Sequence, residues 1–313
     1  MSHAHDVVLN LAAAYPDLGT LRSALGRRDW PACRAVLDAA EPAARTGLIR
    51  AGAARDGLEE FLRDVLREDP GDGAAAALLG SHLLHLGWEV RTEAPAEHLT
   101  PDQRTAFRHW LTRAEEVLLA GVAHAPADPA IRTALLTSAR GLAAGHDEAR
   151  RRYADLAAID PHHLPGQRAR LQQLCPKWGG SSWTEPHAFA RAAMLAVPPG
   201  HPHALLVAEA HVEHHLALDY DSGLAYLRSP AVRTDLFEAA RRSLGAPDFR
   251  RHYGWLEAVN TFAFLFTEMR EQAAAAEALR LLGNLGAEDP WRYRYRNAAS
   301  AIWNARAWAL GLA

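Results

Sequence analysis

The clearest hydrophobic pattern in the chain follows Thr100 and predicts an amphipathic helix. Apolar residues recur there three and four positions apart, which places them on one face of a helix. Thr100, Pro101 and Gln103 mark its start, because a Thr cap, a proline in the first turn and a Gln at the third position match a capping box. The apolar positions are Phe107, Trp110, Leu111, Ala114, Val117, Leu118 and Gly121.

Similar patterns predict that almost the whole chain is helical. A capping side chain precedes a proline again at Asp128, Ser229 and Asp289, which is typical of helix starts. The segments 92–98, 175–183 and 197–203 are predicted loops, because polar residues, glycine and proline interrupt the periodicity there. The further predicted helices span 32–40, 55–67, 73–90, 130–142, 146–158, 164–174, 186–196, 202–217, 230–243, 249–268, 271–285 and 290–311.

The predicted helices are short and paired, which favours stacked antiparallel hairpins. Pro126 and Pro161 lie about 35 residues apart, close to the tetratricopeptide period. Between them, Leu136, Ala149 and Tyr153 occupy positions where that repeat carries a large residue, an alanine and an aromatic residue. We therefore expect an all-α fold, a degenerate tetratricopeptide-like α-solenoid. It would form one helical-repeat domain over 1–313. If this domain has two parts, the boundary between them would lie near 92–100.

Composition supports the helical prediction and excludes several classes of protein. Ala and Leu far outnumber Val and Ile, which argues against a large β-sheet. The net charge of −3 provides no long-range field for nucleic acid or an anionic membrane. Cys33 and Cys175 are too few for a disulfide framework or a four-cysteine zinc site. With no signal-peptide pattern and no apolar run long enough to cross a bilayer, we expect a cytoplasmic protein.

Two tryptophan motifs resemble those of a bacterial family. Residues 86–91 read L-G-W-E-V-R, and residues 176–181 read P-K-W-G-G-S. The family consists of tetratricopeptide-like helical-repeat domains of unknown function that carry W-E-x-R and K-W-G-G-S motifs. The likeness covers about residues 55–290. It implies a helical-repeat fold, and it implies no particular activity, cofactor or catalytic residue.

The loop around Trp178 is the first candidate ligand-binding site. A Gly-Gly turn can direct backbone amides at a ligand, while a lysine and two indoles add charge and a stacking surface. The alternative is a chain reversal in which Ser182 and Glu185 cap the next helix. With the first motif included, the candidate ligand-binding residues are Trp88, Glu89, Arg91, Lys177, Trp178, Gly179, Gly180 and Ser181.

The chain has 17 histidines, and their spacing suggests a second site. His211 and His215 lie one turn apart on a predicted helix, with Glu213 between them. His82 and His85 on another helix would complete a four-ligand metal set if the two helices met, although the order H-V-E-H-H is not that of a zinc protease. We favour no metal site. In an enzyme, His211, His215 and Glu213 would be the catalytic candidates.

Two further segments have alternative interpretations. The stretch 291–296 interleaves Trp and Tyr with Arg, a composition that can bind nucleic acid, but an amphipathic terminal helix explains it equally and is favoured. Trp255, Phe262, Phe264, Leu265 and Phe266 predict a helix that is apolar nearly all round. Such a helix is usually a central core element, and the alternative is the lining of an apolar ligand cavity.

We expect an interaction module that binds a protein, peptide or small ligand in a helical-repeat groove near the W-G-G-S loop. The alternative is an enzyme of specialised metabolism with a His/Glu site, metal-containing or not, in a cavity between helices. Nucleic acid and membrane are not expected partners, and the sequence indicates no particular cofactor. The two hypotheses differ in one structural respect, since only the enzyme requires titratable side chains that converge.

Overall fold

The computed structural model describes residues 7–91 and 98–312, and α-helix dominates both ranges. Neither range contains a β-strand, although an isolated parallel bridge joins Val8 and Leu285. The all-α prediction is therefore confirmed. Nowhere in the described part of the chain is a helix both long and apolar enough to cross a membrane. Of the predicted loop at 92–98, all but the last residue lies outside the described residues.

The helices follow one another with short connections. In chain order they are α1 (Pro16–Gly26), α2 (Trp30–Ala39), α3 (Pro42–Gly52), α4 (Glu59–Glu68), α5 (Gly73–Arg91), α6 (Pro101–His124), α7 (Pro129–Gly141), α8 (His146–Ile159), α9 (Leu164–Leu174), α10 (Thr184–Leu195), α11 (Ala204–Leu216), α12 (Tyr220–Leu227), α13 (Pro230–Arg242), α14 (Trp255–Met269), α15 (Gln272–Leu282) and α16 (Ala298–Leu310). Short 3-10 turns lie at Leu11–Ala13, Pro176–Trp178 and Trp291–Tyr293.

Helix starts with a capping side chain agree best with the sequence prediction. The Thr100 hydroxyl accepts from the Gln103 amide while the Gln103 side chain accepts from the Thr100 amide, so the capping box is present. The Asp128 carboxylate caps α7 in the same manner. Three helices were not predicted, α1, α3 and α12. Of these, α3 starts after Glu41, which makes no side-chain cap bond, so Pro42 is its start signal, whereas α12 has a side-chain cap, Asp219, that the sequence prediction missed.

The single helix predicted for 290–311 is wrong, because a buried tryptophan interrupts it. Trp291 is fully buried and packs edge-to-face on Phe264 at 5.4 Å between ring centroids. Its indole N–H donates to Asn260 Oδ1 at 3.1 Å. After this anchored turn the chain starts again at Asn297, whose side chain caps α16. The stretch 291–296 is therefore not the amphipathic helix that we favoured from the sequence.

The described residues group into two compact units. Residues 16–173 form one, which we call the continuous unit, and residues 7–15 with 174–312 form the other, which we call the split unit. The single-domain assignment and the division at 92–100 both stay predictions.

In the continuous unit, several pairs of helices that are adjacent in sequence pack on each other. The pair α5 and α6 has an extensive interface that depends on glycine, because a Cβ on Gly80 would lie 2.4 Å from the Leu118 side chain. A Cβ on Gly121 would lie 2.7 Å from Ala76. The odd-numbered helices also pack on one another, α1 on α3, α3 on α5 and α5 on α7.

The split unit is organised around α14, which confirms the predicted core helix. Trp255 and Phe262 to Phe266 are at most 2% exposed. The start of α14 is held by Tyr15, whose hydroxyl accepts from the amides of Gly254 and Leu256 and donates to Glu257. Residues 7–15 thus belong to the packing of a helix about 240 positions later in the chain.

Candidate functional site

Four helices of the split unit position the candidate site. The central one is α11, which packs against α10, α12, α13 and α14. Asp219 caps α12 by accepting from the Ser222 amide, and Pro230 starts α13, so sequence signals fix both flanking helices. Between α10 and α11 the predicted loop at 197–203 is present. This arrangement brings together polar side chains from α10, α11, α12 and α13.

These side chains form a chain of hydrogen bonds, which we call the relay: Asp235, His211, Tyr226 and His187. His211 Nε2 lies 3.0 Å from Asp235 Oδ2, and His211 Nδ1 lies 2.6 Å from the Tyr226 hydroxyl. The same hydroxyl lies 3.2 Å from His187 Nε2. The relay therefore links a carboxylate on α13 to an imidazole on α10 through two intervening groups.

The charge on Asp235 determines where the protons lie. The hydrogen bond from His211, together with the Arg191 guanidinium, holds the pKa of Asp235 below its usual range. A carboxylate only accepts, so His211 carries a proton on Nε2, and in the neutral tautomer of the ring Nδ1 accepts from the Tyr226 hydroxyl. The Tyr226 oxygen is then left to accept from His187 Nε2–H. Burial raises the pKa of Tyr226, so its hydroxyl stays protonated at neutral pH.

The outer end of the relay is lined with aromatic rings. The His214 ring stacks on Trp183 with centroids 4.5 Å apart and planes 6° apart, and His214 Nδ1 lies 3.2 Å from His187 Nε2. Burial and the neighbouring imidazoles lower the pKa of His187 to about 4. Burial and the nearby His211 imidazole also lower the pKa of His214 to about 4. His211 is buried, whereas His187, His214 and Tyr226 are half-exposed. At neutral pH the exposed end is thus uncharged and open to solvent.

The K-W-G-G-S loop lies beside the same helix. Lys177 Nζ is 2.5 Å from Glu213 Oε2, so a predicted ligand-binding residue pairs with a predicted catalytic one. Lys177 is half-exposed, and Glu213 directly precedes His214 in α11. The structure therefore brings together two groups of residues that the sequence suggested separately.

The glycines of this loop are explained by the turn itself. Gly179 adopts a left-handed conformation with φ of 94°, and its amide donates to the Pro176 carbonyl. The Gly180 amide points at the Cys175 carbonyl, 3.4 Å away, and a Cβ on Gly180 would lie 2.0 Å from the Leu174 carbonyl oxygen. Both amides are thus used within the turn. The predicted cap by Ser182 is absent, since Trp183 precedes α10 and no side chain caps it.

The first tryptophan motif lies in the continuous unit. Trp88 packs edge-to-face on Phe107 at 5.0 Å, and the guanidinium groups of Arg91 and Arg140 each lie 5.4 Å from its ring. Glu89 is exposed, and its carboxylate lies 3.4 Å from His85 Nε2. Trp88, Glu89 and Arg91 therefore belong to a different unit from Lys177, Trp178, Gly179, Gly180 and Ser181.

The four candidate metal ligands have separate partners. His82 is buried with Nδ1 on the Ala53 carbonyl at 2.8 Å, and His85 faces Glu89. His211 belongs to the relay, while His215 Nε2 accepts from Arg294 Nε at 3.2 Å. Within residues 7–91 and 98–312, no group of three or more His, Cys, Asp or Glu side chains is arranged to hold a metal ion.

A second His–Asp arrangement lies in the continuous unit, where its histidine is buried and its aspartate is partly exposed. Thr46 Oγ1 lies 3.0 Å from His163 Nε2, and His163 Nδ1 lies 3.2 Å from Asp160. Burial lowers the pKa of His163, and both the His163 ring and Thr46, whose hydroxyl also lies 3.0 Å from the Pro42 carbonyl, are buried. A hydroxyl that no substrate can reach does not act as a nucleophile. We call this group the Thr46 chain and assign it to stability.

Sequence reasoning found His211 and missed its partners. Tyr226, Asp235 and His187 lie on three other helices, 15 to 24 positions from His211. No spacing rule connects them, because their proximity depends on how α10, α12 and α13 pack on α11. Compared with known proteins, the chain matches no family model, no curated protein and no solved structure.

Proposed function

We propose that this protein is an enzyme that carries out general acid–base catalysis at the half-exposed end of the relay. The observation that carries the proposal is the unbroken chain of hydrogen bonds from Asp235 through His211 and Tyr226 to His187. Such a chain needs a fixed tautomer at every position, which is what an orienting carboxylate provides. Convergent titratable groups are the feature that distinguishes the enzyme hypothesis from a simple binding surface.

The proton path follows from the assigned hydrogens. A substrate C–H or O–H gives its proton to His187 Nδ1, the ring nitrogen outside the relay. The proton on His187 Nε2 then passes to the Tyr226 oxygen, while the proton of the Tyr226 hydroxyl passes to His211 Nδ1. The positive charge thereby moves from the half-exposed ring to His211, where Asp235 stabilises it. The reverse sequence returns the proton to another atom of the substrate.

Other side chains near the relay supply contacts for a substrate. The Trp183–His214 stack offers a flat aromatic surface beside His187. Lys177 and Glu213, one residue away from His214, offer a donor and an acceptor at the rim. This composition suits a small polar molecule with a planar part, and the reaction class is proton transfer, as in isomerisation or elimination.

Deuterium incorporation tests the proposal even while the substrate is unidentified. Metabolites extracted from cells are incubated with the protein in D₂O and analysed by mass spectrometry. We expect at least one metabolite to be converted or to gain solvent deuterium. Two variants should each slow the conversion or deuterium incorporation by about 100-fold or more. Tyr226→Phe interrupts the relay, and Asp235→Asn removes the orienting charge.

Tyr153→Phe is the matched control, because it removes a hydroxyl from a partly buried tyrosine of the continuous unit, outside the relay. It should retain full turnover. Circular dichroism of all three variants confirms that they are folded. If no metabolite changes, or if Tyr226→Phe turns over as fast as wild type, the relay is not a catalytic site.

A second function, binding of a protein or peptide, is favoured by the packing of the continuous unit. Four of its odd-numbered helices contact one another, α1 with α3, α3 with α5, and α7 with both α3 and α5, and such a layer resembles the inner helices of tetratricopeptide-like repeats. We propose a degenerate repeat of that kind, in keeping with the family resemblance, and a cytoplasmic location consistent with two buried free thiols. Native mass spectrometry of the protein from its natural source tests this, and a bound polypeptide lost in Trp88→Ala would support it.

A further inference from the structure

A surface of the split unit carries exposed tyrosines beside arginines that no carboxylate of the described residues pairs with. Tyr220 is 59% exposed and Tyr295 is 39% exposed, which is unusual for large aromatic side chains. Around them lie Arg228, Arg270 and Arg294. We call these five residues the Tyr–Arg patch. Tyrosine and arginine are the residues most enriched at the energetic centres of binding surfaces.

Arg294 is the central cation of the patch. Its Nε donates to His215 Nε2 at 3.2 Å, and its guanidinium lies 5.4 Å from the Tyr220 ring. Burial lowers the pKa of His215, so this acceptor is a neutral imidazole. The Arg294 Nη2 atom is buried and finds no hydrogen-bond partner among the residues that the structure describes, although the side chain as a whole is only half-buried. The charge on Arg294 is therefore held in position by neutral groups and is not neutralised.

The neighbouring arginines are also bound to neutral partners. Arg228 donates to the backbone carbonyl of Glu268 at 3.1 Å, and Arg270 lies 5.6 Å from the Trp308 ring. The carboxylate of Glu268 is buried and accepts from the Tyr295 hydroxyl at 2.5 Å. The three guanidinium groups of the patch thus outnumber the Glu268 carboxylate bonded within it, while the exposed Asp219 and Asp221 flank Tyr220 in the sequence.

Arginines elsewhere in the split unit show the contrast. Arg191 pairs with Asp235 and Glu238, and Arg233 pairs with Glu271. Opposite charges from the protein itself satisfy these side chains. At the Tyr–Arg patch the missing carboxylates must come from solvent ions or from a partner.

We propose that the Tyr–Arg patch binds an acidic peptide segment of another protein. Asp or Glu side chains of the peptide would pair with Arg294 and Arg270, and the exposed faces of Tyr220 and Tyr295 would cover its backbone and aliphatic stems. Charge complementarity selects this occupant, because an apolar or basic segment would leave the three guanidinium groups unpaired. This site is independent of the relay, since none of its residues takes part in the proton path.

Fluorescence anisotropy with defined probes tests the proposal on the full chain. The probe is a labelled short peptide of alternating Glu and Ser at low salt, and its matched partner has Gln in place of Glu. We expect the Glu peptide to bind and the Gln peptide not to bind. The double variant Arg270→Gln/Arg294→Gln should weaken binding by about tenfold or more, and Tyr220→Ala by a smaller factor.

Arg151→Gln is the control, because it removes one positive charge from an exposed arginine already paired with Glu148 and Asp155. It should bind the Glu peptide as wild type does. Equal binding of the Glu and Gln peptides, or unchanged binding by the double variant, would overturn the proposal. So would tighter binding of a single-stranded RNA of equal charge, which would assign the patch to nucleic acid instead.

Discussion

Replacement of Asn260 tests how the split unit holds its C-terminal segment. The Asn260 side chain is fully buried and makes three hydrogen bonds. Its Oδ1 accepts from the Ala287 amide and from the Trp291 indole, each at 3.1 Å, and its Nδ2 donates to the Asp289 carbonyl at 2.6 Å. Asn260→Leu keeps the shape of the side chain and removes all three bonds. The change therefore isolates the polar contribution from that of packing.

The expected cost is a large part of the stability of the unit. Each buried group that loses its side-chain partner costs about 1–3 kcal/mol, so three groups cost roughly 3–9 kcal/mol, and partial relaxation of the structure favours the lower part of this range. The free energy of unfolding of a typical domain is only about 5–15 kcal/mol. Asn260→Leu should therefore lower the free energy of unfolding by about 4 kcal/mol, or prevent the split unit from folding.

Urea unfolding followed by tryptophan fluorescence measures the effect, because the buried Trp255, which is present in every variant, becomes exposed when the split unit unfolds. Asn304→Leu on α16 is the matched control, since the same substitution at an exposed position should change stability by less than about 0.5 kcal/mol. Trp291→Phe removes one of the three hydrogen bonds. Its loss of unfolding free energy should lie between those of Asn260→Leu and Asn304→Leu. A loss below about 1 kcal/mol for Asn260→Leu would refute the reasoning.

Three further predictions concern pH, a turn and a buried hydroxyl. The pKa values of His187 and His214, about 4 when folded against 6.5 when unfolded, mean that the unfolded state binds more protons between these values. Stability should therefore be constant above pH 6.5 and fall as pH drops towards 4, with a slope kept below about 1.4 kcal/mol per pH unit per histidine by solvent screening. Urea midpoints across this window should fall less in the variant His187→Gln/His214→Gln, and equal slopes would contradict the assignment. Gly180→Ala should destabilise by about 1–3 kcal/mol in the same urea assay, because its Cβ meets the Leu174 carbonyl oxygen at 2.0 Å; an unchanged midpoint would show that the turn relaxes freely. Thr46→Val leaves the buried imidazole of the Thr46 chain without its partner and should cost about 1–3 kcal/mol by thermal or urea unfolding, with no effect on turnover.

Local signals in the sequence predicted the all-α class and most of the helices, and a tertiary contact accounts for the error at 290–311. Thr100 and Asp128 cap their helices through bonds to residues two or three positions away, so the sequence alone contains the whole interaction. The predicted helix at 290–311 failed because Trp291 bonds to Asn260, 31 positions away. A periodicity argument cannot include that contact.

The candidate site illustrates the same limit. His211 and His215 have the spacing of a paired site. However, His211 hydrogen-bonds to Tyr226 and Asp235, whereas His215 hydrogen-bonds to Arg294. Helical spacing placed them on one face of α11 but could not specify which neighbouring helices that face meets. Sequence reasoning could therefore identify a member of the relay and not the relay itself.

Tyr15 has a consequence for the order in which the protein is made. Its hydroxyl holds the start of α14, and Val8 bonds to Asn284 and Gly286, so residues 7–15 leave the ribosome long before their partners exist. At 5–20 residues per second, the interval is roughly 10–60 s. The continuous unit can fold during that time, whereas the first segment of the split unit must wait unpaired. Translation speed, or a chaperone that shields residues 7–15, should therefore affect the yield of the split unit more than that of the continuous unit.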